Sequence, residues 1–317
     1  HLLKTKQLRK IKSKGYALSN IGDIFNEFYN NHLKFPLTNA QKRVLKEIRA
    51  DVKGNQQMNR LLQGDVGSGK TIVSLLAAYN TVNSGFQVAI MAPTEILARQ
   101  HFNLCKRVFD NELNIALISG KSDNKEKKDI LSKLSKNKID IIFGTHAIFQ
   151  KKVIFENLGL IIIDEQHKFG VNQRKRLSDK GGSNCDVLLM TATPIPRTLT
   201  MTIYGDMDIS IIREKPKTRK SIKTYSKLEN KIDDVIKFVK KEISFGNQIF
   251  WVCPLIEESK RVDHSSAIKK FEYLKKIFPK QVSLLHGKTT IDEKEHILNS
   301  FLKNEFKILV STTIIEV

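Results

Sequence analysis

No hydrophobic run in this sequence approaches the roughly 20 residues that span a bilayer. The amino-terminal stretch is basic and polar rather than built around the apolar core of a secretion signal. The sequence therefore predicts a cytoplasmic protein with no membrane partner. Cysteine is scarce: Cys105, Cys185 and Cys253 are odd in number and far apart, which argues against a disulfide framework or a zinc site and leaves buried reduced thiols. None of the eight histidines stands at metal-ligand spacing from another His or a Cys, so no transition-metal cofactor is expected. Acidic residues are also in short supply, with 33 Asp and Glu against 54 Lys and Arg and a net charge of +21. Such an excess favours a polyanionic partner such as nucleic acid. It is spread over helix faces such as Lys125-Glu126-Lys127-Lys128, and a chain rich in Lys, Asn and Ile also arises from codon bias, so both readings stand on charge alone.

What is present is enough apolar material, 40% of 317 residues, for two domains with their own cores. Residues 1–35 carry scattered Lys and Arg and an amphipathic stretch around Ile21 to Phe28, and read as a connector. From there strand-like runs at Val88-Met91, Ile115-Ile118, Ile139-Phe143, Leu160-Ile163 and Val187-Met190 alternate with helix-length segments, the pattern of a parallel sheet covered on both faces. Lys215-Pro216-Lys217-Thr218-Arg219-Lys220 breaks that rhythm as a linker would. A second α/β series follows, with helical spacing through Ile232, Val235, Ile236, Val239 and Ile243. Ile249-Val252 reads as a buried strand, a helix runs from Ala267 to Phe278, and strands follow at Val282-Leu285 and Ile308-Val310. The expected fold class is α/β, with domains at 36–213 and 214–317.

Gly64-Asp65-Val66-Gly67-Ser68-Gly69-Lys70-Thr71 carries the strongest chemical signal. Its glycines allow consecutive backbone N–H groups to converge on a phosphate, Lys70 reaches the β and γ oxygens of ATP, and the Thr71 hydroxyl is placed to ligate Mg²⁺. Asp164 and Glu165 follow the apolar run Leu160-Ile163, at the strand end where open α/β sheets bind ligands. There Asp164 would share the Mg²⁺ with Thr71, and Glu165 would polarise the attacking water. Gln166 and His167 add donors that can sense the γ-phosphate, capping of the next segment being the alternative role for His167. Thr191-Ala192-Thr193-Pro194 ends the Val187-Met190 strand and offers hydroxyls toward the acids, a sequence that is also ordinary turn chemistry.

The phosphate loop, the Asp-Glu-Gln-His box and the Thr-Ala-Thr-Pro turn, in this order and at these intervals, resemble a superfamily 2 helicase motor. Within that superfamily the chain is most similar to the RecG family, which remodels branched DNA. Phe35 to Gln41, Met91 to Ala98, Phe143 to Gln150, Met190 to Thr200, Trp251 to Ser259 and His286-Gly287 extend the likeness over nearly everything after Phe35. Ser68 and Gln166 are similar to RecG rather than to the transcription-repair coupling translocase, which has Phe and Glu there. The resemblance implies two RecA-like P-loop domains, the second incomplete. It implies a Q-motif in which Gln41 reads adenine and Phe35 stacks on it. Thr94, Gln100, Thr145 and His146 would touch DNA phosphates, and Thr312 would add a contact from the second domain. Neutral donors suit a motor because they position a strand without reading bases. Capping of helices by Thr94 or Thr145 is the alternative, and it is compatible with contact. The family's later Gln and Arg box does not occur in this sequence, so the chain is expected to bind nucleotide and hydrolyse it weakly, since an arginine finger is worth about 10³ to 10⁵ in rate. The amino-terminal wedge module of the family is likewise not represented, unless residues 1–35 are its final connector.

The implied function is an ATP-dependent DNA helicase or translocase acting as a monomer on forks and junctions in recombination and repair. Alternatives are a transcription-repair coupling translocase and an inactive fragment that binds ATP or DNA. A generic P-loop kinase or transporter would explain Lys70 and Asp164 but leave the Thr-Ala-Thr-Pro turn and the second α/β series without a role.

Overall fold

The structure is a computed structural model that describes residues 33, 35–54, 56–110, 112–119, 123–150, 152–165, 185–193, 207–214, 222–253, 262–286 and 289–312. The expected connector helix, the charged linker at 215–220 and the motif residues after Thr312 lie outside the described residues. Among those described, no helix is long and apolar enough to cross a membrane. They fall into two compact units, one within residues 1–220 and the other within 221–317.

The first unit is built on seven parallel strands: β1 (Asn59–Gly64), β2 (Gln87–Met91), β3 (Ile115–Ile118), β4 (Ile141–Gly144), β5 (Leu158–Ile163), β6 (Asp186–Thr191) and β7 (Asp208–Ile212). They lie in the order β3-β4-β2-β5-β6-β1-β7. The central strands are apolar on both faces because both faces are covered. Leu62, Ile162, Leu188 and Met190 point into one core layer, while their neighbours Leu61, Ile161, Ile163 and Leu189 point into the other. Each such side chain, removed from water, contributes about 1.5–3 kcal/mol.

Helices α1 (Asn39–Lys53) and α2 (Lys70–Asn83) pack in the first of these layers, with α3 (Glu95–Val108) lying over β3 and β4. Helix α1 starts at Thr38 because its hydroxyl accepts from the Gln41 N–H while the Gln41 side chain answers on the Thr38 N–H, a reciprocal cap. Ala40, Val44, Leu45, Ile48 and Val52 then recur at helical spacing and are buried. Helix α2 is buried almost all round, since it lies between the sheet and α1. The lysine-rich α4 (Asn124–Leu134) keeps most of its charge in solvent.

Strand β7 was not legible as a strand, because it is a short edge element in which only alternate residues are buried. It is fastened by Arg60 on β1. That buried guanidinium bonds Ser210 at 2.7 Å and Asp51 at 2.6 Å, with Glu47 at 3.5 Å.

In the second unit β8 (Ile249–Val252), β9 (Val282–Leu285) and β10 (Ile308–Ser311) form a parallel sheet in the order β8-β10-β9. Helices α5 (Ile232–Ser244), α6 (Val262–Ile277) and α7 (Ile291–Leu302) accompany it. The central β10 has Ile308, Leu309 and Val310 fully buried. Strand β8 corrects the expectation of a buried strand. It is an edge strand, and Phe250 and Val252 on one of its faces are each 53% exposed. Helix α7 opens on a second reciprocal cap, between Thr290 and Glu293. All three cysteines are buried free thiols, and for Cys105 burial pushes the thiol up to about 12.

Candidate nucleotide site

Strand β1 runs into its loop through Gly64, where a Cβ would stand 2.6 Å from the Ser68 hydroxyl, so any larger residue would have to displace that side chain. Gly67 and Gly69 have φ of 73° and 87°, the left-handed region that costs other residues about 1–2 kcal/mol. Gly69 is the N-cap of α2 and supplies no side-chain cap, which leaves the helix's first N–H groups and positive dipole end facing the loop. Lys70 is folded into the loop's concavity: its ammonium donates to the Gly64 carbonyl at 2.7 Å and the Asp65 carbonyl at 3.3 Å. Burial lowers its pKa below the ordinary lysine value, and the negative charges of Glu165, Asp164 and Asp65 oppose that shift.

Those acids are nearby because β5, β6 and β1 are adjacent and parallel, so their carboxyl ends share one sheet edge. Asp164 extends β5 by one residue, its N–H donating to the Met91 carbonyl at 2.9 Å. Its carboxylate is buried and held at both oxygens: Oδ1 accepts from the Glu165 N–H at 3.0 Å, and Oδ2 lies 2.8 Å from His101 Nε2. Glu165 adopts φ of 47°, an uncommon backbone state for a side-chain-bearing residue, two residues past the end of β5. Its carboxylate accepts a long bond, 3.5 Å, from the Ala192 N–H.

Ala192 belongs to the threonine turn at the end of β6. Thr191 Oγ1 lies 2.9 Å from Thr193 Oγ1 and accepts from the Thr193 N–H at 3.2 Å. The Gln63 side chain, one residue before the loop, donates to the Thr193 carbonyl at 3.2 Å. Loop, acids and threonine turn are thus one connected cluster. Gln166 and His167 lie outside the described residues.

Gln41 is buried, and its amide bridges α1 to the loop, accepting from the Thr38 N–H at 2.9 Å and donating to the Ser68 carbonyl at 2.8 Å. Phe35, six residues before it, is 46% exposed. The Ser68 hydroxyl is fully buried and has no hydrogen-bond partner among the described residues. Thr71 sits half-buried in the first turn of α2. A glycine-lined concavity, a cation within it, an unpartnered buried hydroxyl and two carboxylates on the same edge fit a magnesium-bound nucleoside triphosphate, with Thr71 and Asp164 as the residues that would hold the metal.

Thr94 and Thr145-His146 closely follow β2 and β4, which are paired, and so stand at the carboxyl edge of the same sheet, whereas Gln100 lies further along α3. Thr94 caps α3 by accepting from the Leu97 N–H at 3.3 Å and remains exposed, as do Gln100 and His146. Thr145 stands at the N-cap of the short 3-10 turn His146–Phe149 but makes no capping bond with its side chain. Thr312 is different. It is buried after β10 in the second unit, with a hydroxyl unpartnered among the described residues. His101 was missed at the level of sequence. Its partner is 63 positions away, and the signal was a polar residue on the buried stripe Ala98, His101, Cys105 of α3.

Residues 38–202 match the DEAD/DEAH box helicase family, and residues 230–317 match the helicase conserved C-terminal domain. The chain is 49% identical over 288 residues to the ATP-dependent DNA helicase RecG of Bacillus subtilis (strain 168), covering 90% of this chain and 42% of that one. It is 46% identical over 319 residues to RecG of Aquifex aeolicus (strain VF5), covering 100% of this chain and 40% of that one. A solved structure of RecG bound to a three-way DNA junction superposes with a TM-score of 0.77 at 41% identity, over 100% of this chain and 41% of that chain. The DEAD-box helicase Mss116, solved with single-stranded RNA and a nucleotide analogue, shares the fold at 19% identity and a TM-score of 0.67, over 95% of this chain and 67% of that one. The chain spans about two fifths of the length of the curated relatives it matches.

Proposed function

Because the chain belongs to the DEAD/DEAH box helicase family, we propose that it is the motor of an ATP-dependent helicase of the RecG type, which draws energy from ATP to move on branched DNA during recombination and repair. The observation that carries this reading is the meeting of the Lys70 loop with Asp164 and Glu165 on one sheet edge, beside the threonine turn that ends β6. The near-half identity to RecG chains supports the RecG type, and the junction-bound relative supports branched DNA as the substrate.

In this reading Lys70 exchanges its loop carbonyls for the β and γ oxygens of ATP. The backbone N–H groups of Gly67 and of residues 69–71, at the start of α2, supply the remaining positive potential. Thr71 and Asp164 would hold a magnesium ion, whose charge would offset that of the phosphates. Glu165, held in a left-handed backbone state, orients and deprotonates the attacking water. Its link to Ala192 gives the threonine turn a direct register of what occupies the site. Gln41 keeps one amide hydrogen and one carbonyl lone pair for adenine while its other contacts brace the loop, and Phe35 is exposed enough to stack on the base. Gln166 and His167 would complete the γ-phosphate sensor. Thr94, Gln100, Thr145 and His146 would form a phosphate-backbone track on the first unit, and Thr312 would be a separate contact carried by the second unit. The motor works as a monomer in the cytoplasm.

The test is ATP hydrolysis by the full-length gene product that carries this chain, measured with and without forked DNA. Hydrolysis stimulated by forks, more than by linear duplex, is the expected result; unchanged hydrolysis overturns the proposal.

A further inference from the structure

A buried histidine accompanies the metal carboxylate. His101 is 5% exposed and Asp164 6%, and the ring Nε2 stands 2.8 Å from Oδ2. With Asp164 ionised, as a metal ligand must be, Nε2 carries the hydrogen and donates it. The other oxygen is fixed by the Glu165 N–H at 3.0 Å, so neither carboxylate oxygen is free to rotate, while each retains a lone pair. Helix α3 holds the ring in place, since Ala98 and Cys105 on the same stripe are 1% and 0% exposed. A histidine placed only to fill the core would be replaceable by an apolar ring. This one is spent on a buried charge whose Oδ2 has no other hydrogen-bond partner among the described residues.

We propose that His101 is the positioning residue for Asp164: it holds the carboxylate in the orientation that accepts Mg²⁺ and so sets how tightly metal joins the bound nucleotide. The proposal rests on the nucleotide-site reading above. Partners of this kind, one step removed from the metal, typically govern about 10- to 100-fold in metal affinity. His101→Phe keeps a ring and loses the donor; His101→Gln carries an amide N–H at nearly the position of Nε2.

The experiment follows binding of a fluorescent, non-hydrolysable ATP analogue to the 317-residue chain, in EDTA and across a Mg²⁺ titration, for wild type and both variants. Wild type is expected to bind more tightly as Mg²⁺ rises. His101→Phe should need about 10- to 100-fold more Mg²⁺ for half effect while its affinity in EDTA stays unchanged, and His101→Gln should return to within a few fold of wild type. A His101→Phe variant with the wild-type Mg²⁺ response, or one that loses affinity equally with and without metal, overturns the positioning role. If wild type itself shows no Mg²⁺-dependent binding, the nucleotide-site reading falls and the inference with it. Should His101→Phe not fold, His101→Asn takes its place, because its shorter amide leaves Oδ2 out of reach and the same split between metal and nucleotide decides.

Discussion

Asp186 offers a measurement of the fold itself, independent of any ligand. It opens β6, is 2% exposed, and accepts from the Met58 N–H at 2.7 Å. Burial pushes its carboxyl from an ordinary 3.8 up to about 7. The bond from Met58 pulls against this, and the nearby charge of Asp51 adds to it. The folded state therefore holds a proton that the unfolded chain releases near 3.8, so the stabilisation is complete below that pH and is lost progressively as pH rises to about 7. At about 1.36 kcal/mol per pH unit the loss has a ceiling of about 4 kcal/mol. Asp186→Asn keeps an acceptor for Met58 and removes the ionisation. Urea unfolding followed by circular dichroism at pH 4, 5.5, 7 and 8, roughly bracketing that range, should show near-equal stability of the two proteins at the acid end. The variant should then gain steadily, reaching a plateau of up to about 4 kcal/mol above pH 7. A difference that is independent of pH would refute the burial of a protonated carboxyl at this position.

Other expectations follow from the same structure. Glu165→Gln should retain ATP with near wild-type affinity and lower turnover of the full-length protein by about 10²- to 10⁴-fold, the range for loss of a general base, as read by filter binding beside phosphate release. Gly69→Ala meets both a φ of 87° and the Gln41 amide, so it should destabilise the first unit by about 1–2 kcal/mol and weaken nucleotide binding; an unchanged melting temperature would count against the loop geometry. Arg60→Ala removes the partner shared by Asp51, Glu47 and Ser210 and should cost about 1.5–3 kcal/mol in chemical unfolding, more than Arg43→Ala, whose pairing with Glu47 at 3.4 Å is solvent-exposed.

The parts of the site that were legible in the sequence are those whose chemistry is contiguous. The phosphate loop is a run of eight residues in which every glycine has a local reason, and the acids directly follow an all-apolar strand, so sequence order alone puts each at a strand's carboxyl end. That the two ends meet is a property of the sheet order, which places only β6 between β5 and β1, and it became visible through the electrostatic influence of Asp164 and Glu165 on Lys70. What stayed hidden depends on partners far away in the chain. His101 lies on a buried stripe whose purpose shows only with Asp164 beside it, and Asp186 shows its burial only with the Met58 N–H bonded to it. Gln41 reads as a nucleotide contact, whereas the structure first uses it to tie α1 to the loop carbonyl of Ser68. Phe250 and Val252 read as core because apolar composition does not say which strand ends a sheet. The common cause is that burial of a polar group obliges it to find a partner, but periodicity reports only the burial. A polar residue on an otherwise apolar stripe is therefore the most informative sequence signal in this chain, and at His101 it leads to Asp164, the carboxylate proposed to hold the metal.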